Sequence, residues 1–398
     1  MRILHTSDWH IGRSFHGTGI LPVQQRALEQ LAEIVVQHGI AAVVVSGDIY
    51  DRALPAADAV RTLDTGLATL RETGAELVLT SGNHDSSIRL GFGRELMRAS
   101  GVHFRTQIAD ITHPVVLEDP DGGTVAIWGI PYLDPGTSAG HWGVEAQHTA
   151  VIQAAVNDIR QAQESQQHLG RDQAAHVVMA HLFAAGGTGS DSERDIGAHH
   201  DETTVGTLGQ VPASIFDGFD YAALGHLHGR QTISPAVRYS GSPVAYSFSE
   251  ADHTKGAWVI TTGQNRVTDI QPVDLSAGKK LARLTGEIDD LLDNPEHTWA
   301  EDAWCQITVT DEQRPPRAYQ RLKQRFPDLL NFILAPSGNP PTRQLTYAKR
   351  LASATTDLDV VTDFIDHVRG RPASEAEKHW ITQALEQVGR EGRDANLR

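Results

Sequence analysis

Short apolar runs alternate with segments of helical period along the first half of the chain. Arg2–Thr6 reads as a strand. Pro22 then stands at the first position of a helix, Leu28, Leu31, Ala32 and Val35 line one face, and Gly39 closes it. Ala41–Val45 is a fully apolar strand, a helix is expected from Pro55 to Thr73, and Glu76–Thr80 is a further strand. This β-α-β-α-β rhythm predicts an α/β fold with a buried, largely parallel sheet and helices on its faces. Val115–Leu117 and Thr124–Ile130 flank Asp121-Gly122-Gly123 as a hairpin. A long helix is expected over Val144–Gln167, and strands over His176–Ala180 and Tyr221–Leu224. Val237–Tyr239, Ala257–Thr261 and Val267–Val273 are expected to complete this domain as antiparallel strands.

The pattern changes near Leu275. Leu281–Ile288, Trp304–Thr310 and Asn331–Leu334 have strand character and Arg317–Phe326 helical character, which predicts a small α+β domain. From Thr355 two helices are expected. Leu358, Val361, Ile365 and Val368 have heptad-like spacing, and Ser374 with Glu377 forms a capping-box pattern ahead of Ile381, Ala384, Leu385 and Val388. The expected organisation is a main domain over 1–275, a capping domain over 276–350 and a helical tail over 351–398. Ala184–Gln210, rich in Gly, Ser, Thr and Asp, is a loop of the length that usually carries function.

Composition narrows the function. The chain has 398 residues, 40% hydrophobic and 21% charged, as expected of a globular protein. Its 34 basic and 50 acidic residues leave a formal charge of −16, which excludes a surface coated in basic charge for passive nucleic-acid binding. A local patch remains open: Arg314, Arg317, Arg321, Lys323, Arg325, Arg343, Lys349 and Arg350 cluster around a single acid, Asp328. Cys305 stands alone, so no internal disulfide forms and a reducing compartment is expected. No basic-then-apolar segment follows Met1 and no apolar run approaches the roughly 20 residues of a membrane span. The expectation is a cytoplasmic chain with no membrane partner.

Candidate chemistry sits at one kind of place. Asp8-Trp9-His10, Gly47-Asp48-Ile49-Tyr50-Asp51, Gly82-Asn83-His84-Asp85, His181 and Gly225-His226-Leu227-His228 each follow an expected strand. In open α/β sheets ligands bind beyond the carboxyl ends of strands, so these clusters are expected to meet on one rim. Asp8, His10, Asp48, Asn83, His181, His226 and His228 supply nitrogen and oxygen donors without a thiolate, a set that suits Mn²⁺, Fe or Zn²⁺. Strand alternation is expected to present Asp8 with His10, and His226 with His228, on one side. Glycines 47, 82 and 225 suit sharp turns. Seven donors exceed one ion's usual needs and suffice for two ions sharing a carboxylate. Two ions about 3.5–4 Å apart can activate water and hold the attacking and leaving oxygens of a phosphoryl displacement. His84 is then left as a catalytic side chain, oriented by Asp51.

In this order the clusters D-x-H, G-D-x-x-D, G-N-H-D, H and G-H-x-H resemble those of the calcineurin-type metallophosphoesterase superfamily. The resemblance implies an αββα sandwich with a dinuclear centre. It implies that Asp8, His10, Asp48 and His228 hold one metal, and Asp48, Asn83, His181 and His226 the other. His5–Gly12, Ser190–Ile196, Ala223–His228, Tyr239–Pro243 and Ser247–Glu250 resemble, more narrowly, the SbcD family of bacterial nuclease subunits. That likeness implies two divalent ions, Mn²⁺ foremost, and cleavage of DNA ends and hairpins. It also implies a capping domain that helps select DNA and an SbcC-like ATPase partner with a long coiled coil. A homodimer within a heterotetramer is expected. The tail's apolar faces would dock on the coiled coil. His199-His200-Asp201-Glu202 departs from the family pattern. Two other readings use the same clusters: a small-molecule or cyclic-nucleotide phosphodiesterase, and a non-enzymatic scaffold for DNA ends with structural metals. The residues after Leu275 are more than a mononucleotide enzyme needs, and a free His84 is more than a scaffold needs.

Overall fold

The computed structural model describes residues 1–119, 122–166, 169–170, 173–194, 209–336, 358, 360–362, 365, 373–374 and 376–385. Its strands, in chain order, are β1 (Arg2–Thr6), β2 (Ser14–Phe15), β3 (Thr18–Gly19), β4 (Ala42–Ser46), β5 (Glu76–Thr80), β6 (Val102–Arg105), β7 (Val115–Glu118), β8 (Thr124–Gly129), β9 (Ala175–His181), β10 (Tyr221–Gly225), β11 (Gln231–Thr232), β12 (Val237–Tyr239), β13 (Gly256–Gly263), β14 (Arg266–Asp274), β15 (Leu281–Gly286), β16 (Trp304–Val309) and β17 (Leu329–Leu334). Two six-stranded sheets, ordered β14-β13-β1-β4-β5-β6 and β11-β12-β10-β9-β8-β7, replace the single sheet that the β-α-β rhythm suggested. β1, β4, β5 and β6 run parallel, as do β8, β9, β10 and β12. The expected antiparallel strand at Val237–Tyr239 pairs antiparallel with β11 on one side and joins β10 in parallel on the other.

Alternation along the strands builds the layers. On β4, Ala42 and Val44 face a core shared with Val78, Ile127, Val177, Met179, Tyr221 and Ala223, so this core lies between the two sheets. Val43 and Val45 point the other way, to Leu28 and Leu31 of helix Leu21–His38 and Leu63 and Leu70 of helix Ala57–Glu72. Across the sandwich, Val151, Ile152, Val156 and Ile159 of helix His148–Ser165 cover Trp128, Val178 and Leu224. This is the αββα arrangement. Each fully buried aliphatic side chain contributes about 1.5–3 kcal/mol, so the middle layer holds the strand ends of both sheets in register.

Local signals explain the helix ends. Gly39 closes helix Leu21–His38 with φ 60° and returns its N–H to Val35 and Val36. The helix expected over Val144–Gln167 is present as His148–Ser165. A further helix that the pattern did not show, Pro135–Trp142, precedes it, capped by Asp134 at its start and closed by Gly143 at φ 66°. Two short helices that the apolar pattern did not show, Ser87–Leu90 and Arg94–Arg98, leave Ile88, Phe92 and Leu96 exposed.

By internal contacts the chain divides into two compact units, Met1–Leu284 with Pro295–Ile307 and Lys323–Asn331, and Thr285–Asn294 with Thr308–Leu322 and Phe332–Arg398. The sandwich belongs to the first. The small α+β domain has sheet order β15-β16-β17 and a helix at Ala318–Arg325, close to expectation. In the second unit, Asp311 accepts the N–H of Ile288 at the start of helix Ile288–Asp293, and Arg321 pairs with Asp289. Ser374 and Glu377 form the expected reciprocal cap, and 376–385 is helical. Val368, Val388 and most of the expected tail lie outside the described residues, as do His199, His200, Asp201, Glu202, Arg343, Lys349 and Arg350. The expected basic patch is partly engaged already: besides Arg321, Lys323 bonds the Leu329 carbonyl and Arg325 bonds Glu301. Among the described residues no helix is long and apolar enough to cross a membrane.

Candidate metal centre

β1, β4 and β5 of one sheet and β9 and β10 of the other end at one rim, and every predicted cluster lies there. The loops interlock: Asp8 N–H bonds the Gly47 carbonyl, His10 N–H the Asp48 carbonyl, and His226 N–H the Asp8 carboxylate at 3.0 Å. Asp8, His10, Asp48 and His226 have φ of 52°, 42°, 49° and 107°. Strand alternation therefore does not pair these side chains, as expected from the sequence, because β1 ends at Thr6 and β10 at Gly225. Left-handed turns aim them instead. The pair His226 and His228 is split: His228 faces His10, while His226 faces Asn83. Glycine has different reasons at different clusters. Gly47 has φ 79°, whereas at Gly225 a Cβ would lie 1.8 Å from the Ser46 carbonyl oxygen. Close approach, not a turn, requires glycine there.

The donor atoms converge. Asp8, His10 and His228 each bring one ligand atom within 4.8 Å of the others, and so do Asp8, Asp48 and His181. His10, Asp48 and His84 make a third such group, which adds His84 to the neighbourhood of the donors. Asn83 Oδ1 lies 2.8 Å from His181 Nε2 and 3.3 Å from His226 Nδ1. Asp48 Oδ2 is 3.3 Å from His181 Nε2 and 3.4 Å from His10 Nε2, which puts this carboxylate between two donor groups.

His181 Nδ1 faces the Ser46 carbonyl at 3.0 Å, an acceptor, so Nδ1 carries a proton. The neutral ring then points a bare Nε2 at two oxygens, Asn83 Oδ1 and Asp48 Oδ2. Such a cluster needs a proton or a cation at its centre. Burial opposes charge on His181, but the Asp48 and Asp8 carboxylates and the Ser46 bond outweigh it and raise its pKa to about 9. Burial pushes Asp48 up as well, yet His181, His10 and His84 hold it well below the usual carboxylate range. Burial raises Asp8 to about 6, against the pull of His181 and His228. Burial lowers His226 to about 3 and His10 well below its ordinary value, keeping both rings in the neutral form that binds metals. Among the described residues, His10 Nδ1 and His84 Nε2 are buried without a hydrogen-bond partner. The donor set thus fits divalent cations.

His84 is oriented as expected but by another atom. Its Nδ1 donates to the main-chain carbonyl of Asp51 at 2.7 Å, not to the Asp51 carboxylate. That carboxylate lies 3.8 Å from Arg13 Nε and 3.5 Å from Arg52 Nε. Sequence reasoning missed Asp85, whose carboxylate accepts the N–H groups of Ile49, Tyr50 and Gly82 at 2.9–3.0 Å and ties the second cluster to the third. Its place in Gly-Asn-His-Asp was the available signal, since Asp commonly binds turn amides. Beside His84 opens a cleft of about 830 Å³ lined by Arg13, Arg52 and Arg283, with Gln306 and Asn331 from β16 and β17.

The calcineurin-like phosphoesterase profile matches residues 1–230, and the chain belongs to that family. It is a phosphoester hydrolase with a site for two divalent metal ions. Within the family the chain resembles bacterial SbcD: the profile of the SbcD C-terminal domain, described as the type 5 capsule protein repressor C-terminal domain, matches residues 278–369. Similar solved structures include the protein TT1561 of Thermus thermophilus, at 14% identity and TM-score 0.40, covering 69% of this chain and 99% of that one. A dimetal phosphatase from Danio rerio is similar at 13% identity and TM-score 0.40, with 69% of this chain and 99% of that one covered.

Proposed function

We propose that this chain is the nuclease subunit of an SbcCD-like complex, hydrolysing DNA phosphodiester bonds as a double-strand exonuclease and single-strand endonuclease in repair and recombination. The observation that carries this reading is the SbcD-type C-terminal match at 278–369 behind a phosphoesterase core. The cleft lined by Arg13, Arg52 and Arg283 supports it, because guanidinium groups grip successive backbone phosphates.

Asp8, His10, Asp48 and His228 would hold one ion, and Asp48, Asn83, His181 and His226 the other. Mn²⁺ is the proposed ion because the SbcD likeness implies it; the thiolate-free N/O donor set is compatible with it, as it is with Fe and Zn²⁺. When bound, the pair supplies an acidified water and positive charge for the phosphoryl oxygens. The chain's own groups do the rest. The arginines bind nonbridging oxygens and fix the strand. His84, anchored through Nδ1, is free to carry a proton on Nε2 and pass it to the departing oxygen. An SbcC-like coiled-coil ATPase is the proposed partner, and the segment from 351 onward its docking tail.

The test is incubation of purified chain with Mn²⁺ and linear duplex DNA, with and without the coiled-coil ATPase and ATP, beside a cyclic nucleotide. Ion-dependent DNA cleavage stimulated by the partner is expected. Faster turnover of the cyclic nucleotide than of DNA would replace this reading with a small-molecule phosphodiesterase.

A further inference from the structure

Two motif segments, around Ser192 and Glu250, take no part in the reaction above, yet both reach the far side of His228. We infer that Ser192 and Glu250 are positioning residues that decide which nitrogen of His228 carries its proton, holding Nε2 bare toward the cation site. The inference rests on the metal reading above and adds residues that lie behind the donors.

Ser192 Oγ lies 2.7 Å from His228 Nδ1 and 2.7 Å from Glu250 Oε1. All three residues are about 1% exposed. Ser192 Oγ also lies 2.7 Å from Ser190 Oγ, which bonds the Glu193 carboxylate at 2.5 Å. Carboxylates only accept, so the hydroxyl proton of Ser190 goes to Glu193 and that of Ser192 to Glu250. The hydroxyl oxygen is then an acceptor toward His228, and Nδ1 must be the protonated nitrogen. The opposite arrangement would set Ser192 and Glu250 oxygen lone pairs against each other at 2.7 Å. Glu250 is ionised because its other oxygen forms a buried ion pair with the Lys255 ammonium. Lys255 pairs with Glu250 and also donates to the His228 carbonyl at 2.9 Å and Ser242 Oγ at 3.0 Å. Glu193 accepts the His228 N–H at 2.6 Å. The residue is thus held at ring, amide and carbonyl. His10, which meets it Nε2 to Nε2 at 3.1 Å, makes no hydrogen bond through its own Nδ1 among the described residues, the Asp51 carboxylate standing 3.9 Å away. Orientation is built into His228, and His10 completes the pair.

Metal-ligating imidazoles commonly donate their second N–H to a carboxylate or carbonyl, and removing that acceptor costs about 10–100-fold in metal affinity. Here a serine hydroxyl is interposed. The experiment is calorimetric titration of Mn²⁺ alone into the metal-free full-length chain, for the parent, Ser192→Ala, Ser192→Thr and Glu250→Gln. The parent is expected to bind in two steps. Ser192→Ala and Glu250→Gln should weaken one step about 10–100-fold and leave the other near its parental value, while Ser192→Thr, which keeps the hydroxyl, restores it. Unchanged binding in Ser192→Ala overturns the inference. So does a loss of both steps together with a lower melting temperature of the metal-free chain, which marks a purely structural role. A parent that binds no ions would instead remove the metal reading on which this rests.

Discussion

The Nε2 atoms of His10 and His228 lie 3.1 Å apart in a fully buried setting, a distance that two bare ring nitrogens hold only with a proton or a cation beside them. Divalent ions should therefore stabilise the fold as well as enable the reaction. At an ion concentration one hundred times the dissociation constant, linkage gives about 2.7 kcal/mol. Scanning calorimetry with added Mn²⁺ and with a chelator is expected to show a melting temperature several degrees higher with the ion. The gain should shrink as pH falls, first below about 9, where His181 takes up a proton in the ion-free chain, and further below about 6, where Asp8 does, because protons compete for the same lone pairs. An ion-independent melting temperature would remove cations from this site.

His84 and Asp48 belong to one donor group, yet different losses are expected from them. His84→Ala should keep both ions and lose about 10²–10⁴ in turnover, the usual range for proton transfer. Asp48→Ala should lose ion binding too. Metal content by mass spectrometry beside DNA cleavage rates separates the two. Parental turnover in His84→Ala would end the role assigned to its Nε2.

Arg52 is largely exposed on the cleft wall and Arg283 stands opposite in sequence, on β15. Replacing either with Ala should weaken DNA binding across all sequences and lower the salt slope of the affinity by about one. Turnover at saturating DNA should change little. Binding isotherms over a range of salt concentrations check this, and an unaltered slope would place the strand elsewhere.

Asp85 satisfies three main-chain amides of the rim loops with one carboxylate. Asp85→Ala should cost roughly 2–4 kcal/mol, since each buried orphan donor costs about 1–3 kcal/mol and solvent recovers part. Urea unfolding measures it. A loss under about 0.5 kcal/mol, the range of neutral surface changes, would show that water replaces the carboxylate.

Much of this was legible in the residues because the strands announce themselves. Ala42–Ser46 is buried at every position, so its apolar run marked it, and each donor lies at the carboxyl end of a strand or within four residues beyond it. The division into two sheets was not legible from periodicity, since a run of valines does not record which neighbour it pairs with. The donors are legible from their residue types at the strand ends, but their pairing is not: alternation predicts Asp8 with His10 and His226 with His228, whereas left-handed turns at Asp8, His10 and His226 arrange them. Ser192 and Glu250 lay beyond reach because their bonds to His228 and to each other span 36 and 58 residues, and no spacing rule covers such distances. Asp51 was rightly placed beside His84, but which of its oxygens would accept depends on loop geometry.

Four donor-bearing residues sit at positive φ, a backbone state that costs about 1–3 kcal/mol per position when it is not Gly. Together that is roughly 4–12 kcal/mol, comparable with the whole margin of about 5–15 kcal/mol that keeps an ordinary domain folded. The rim is consequently a loaded spring kept shut by the two-sheet body behind it. A variant that loosens the sandwich far from the rim should forfeit its grip on divalent ions before it forfeits its shape.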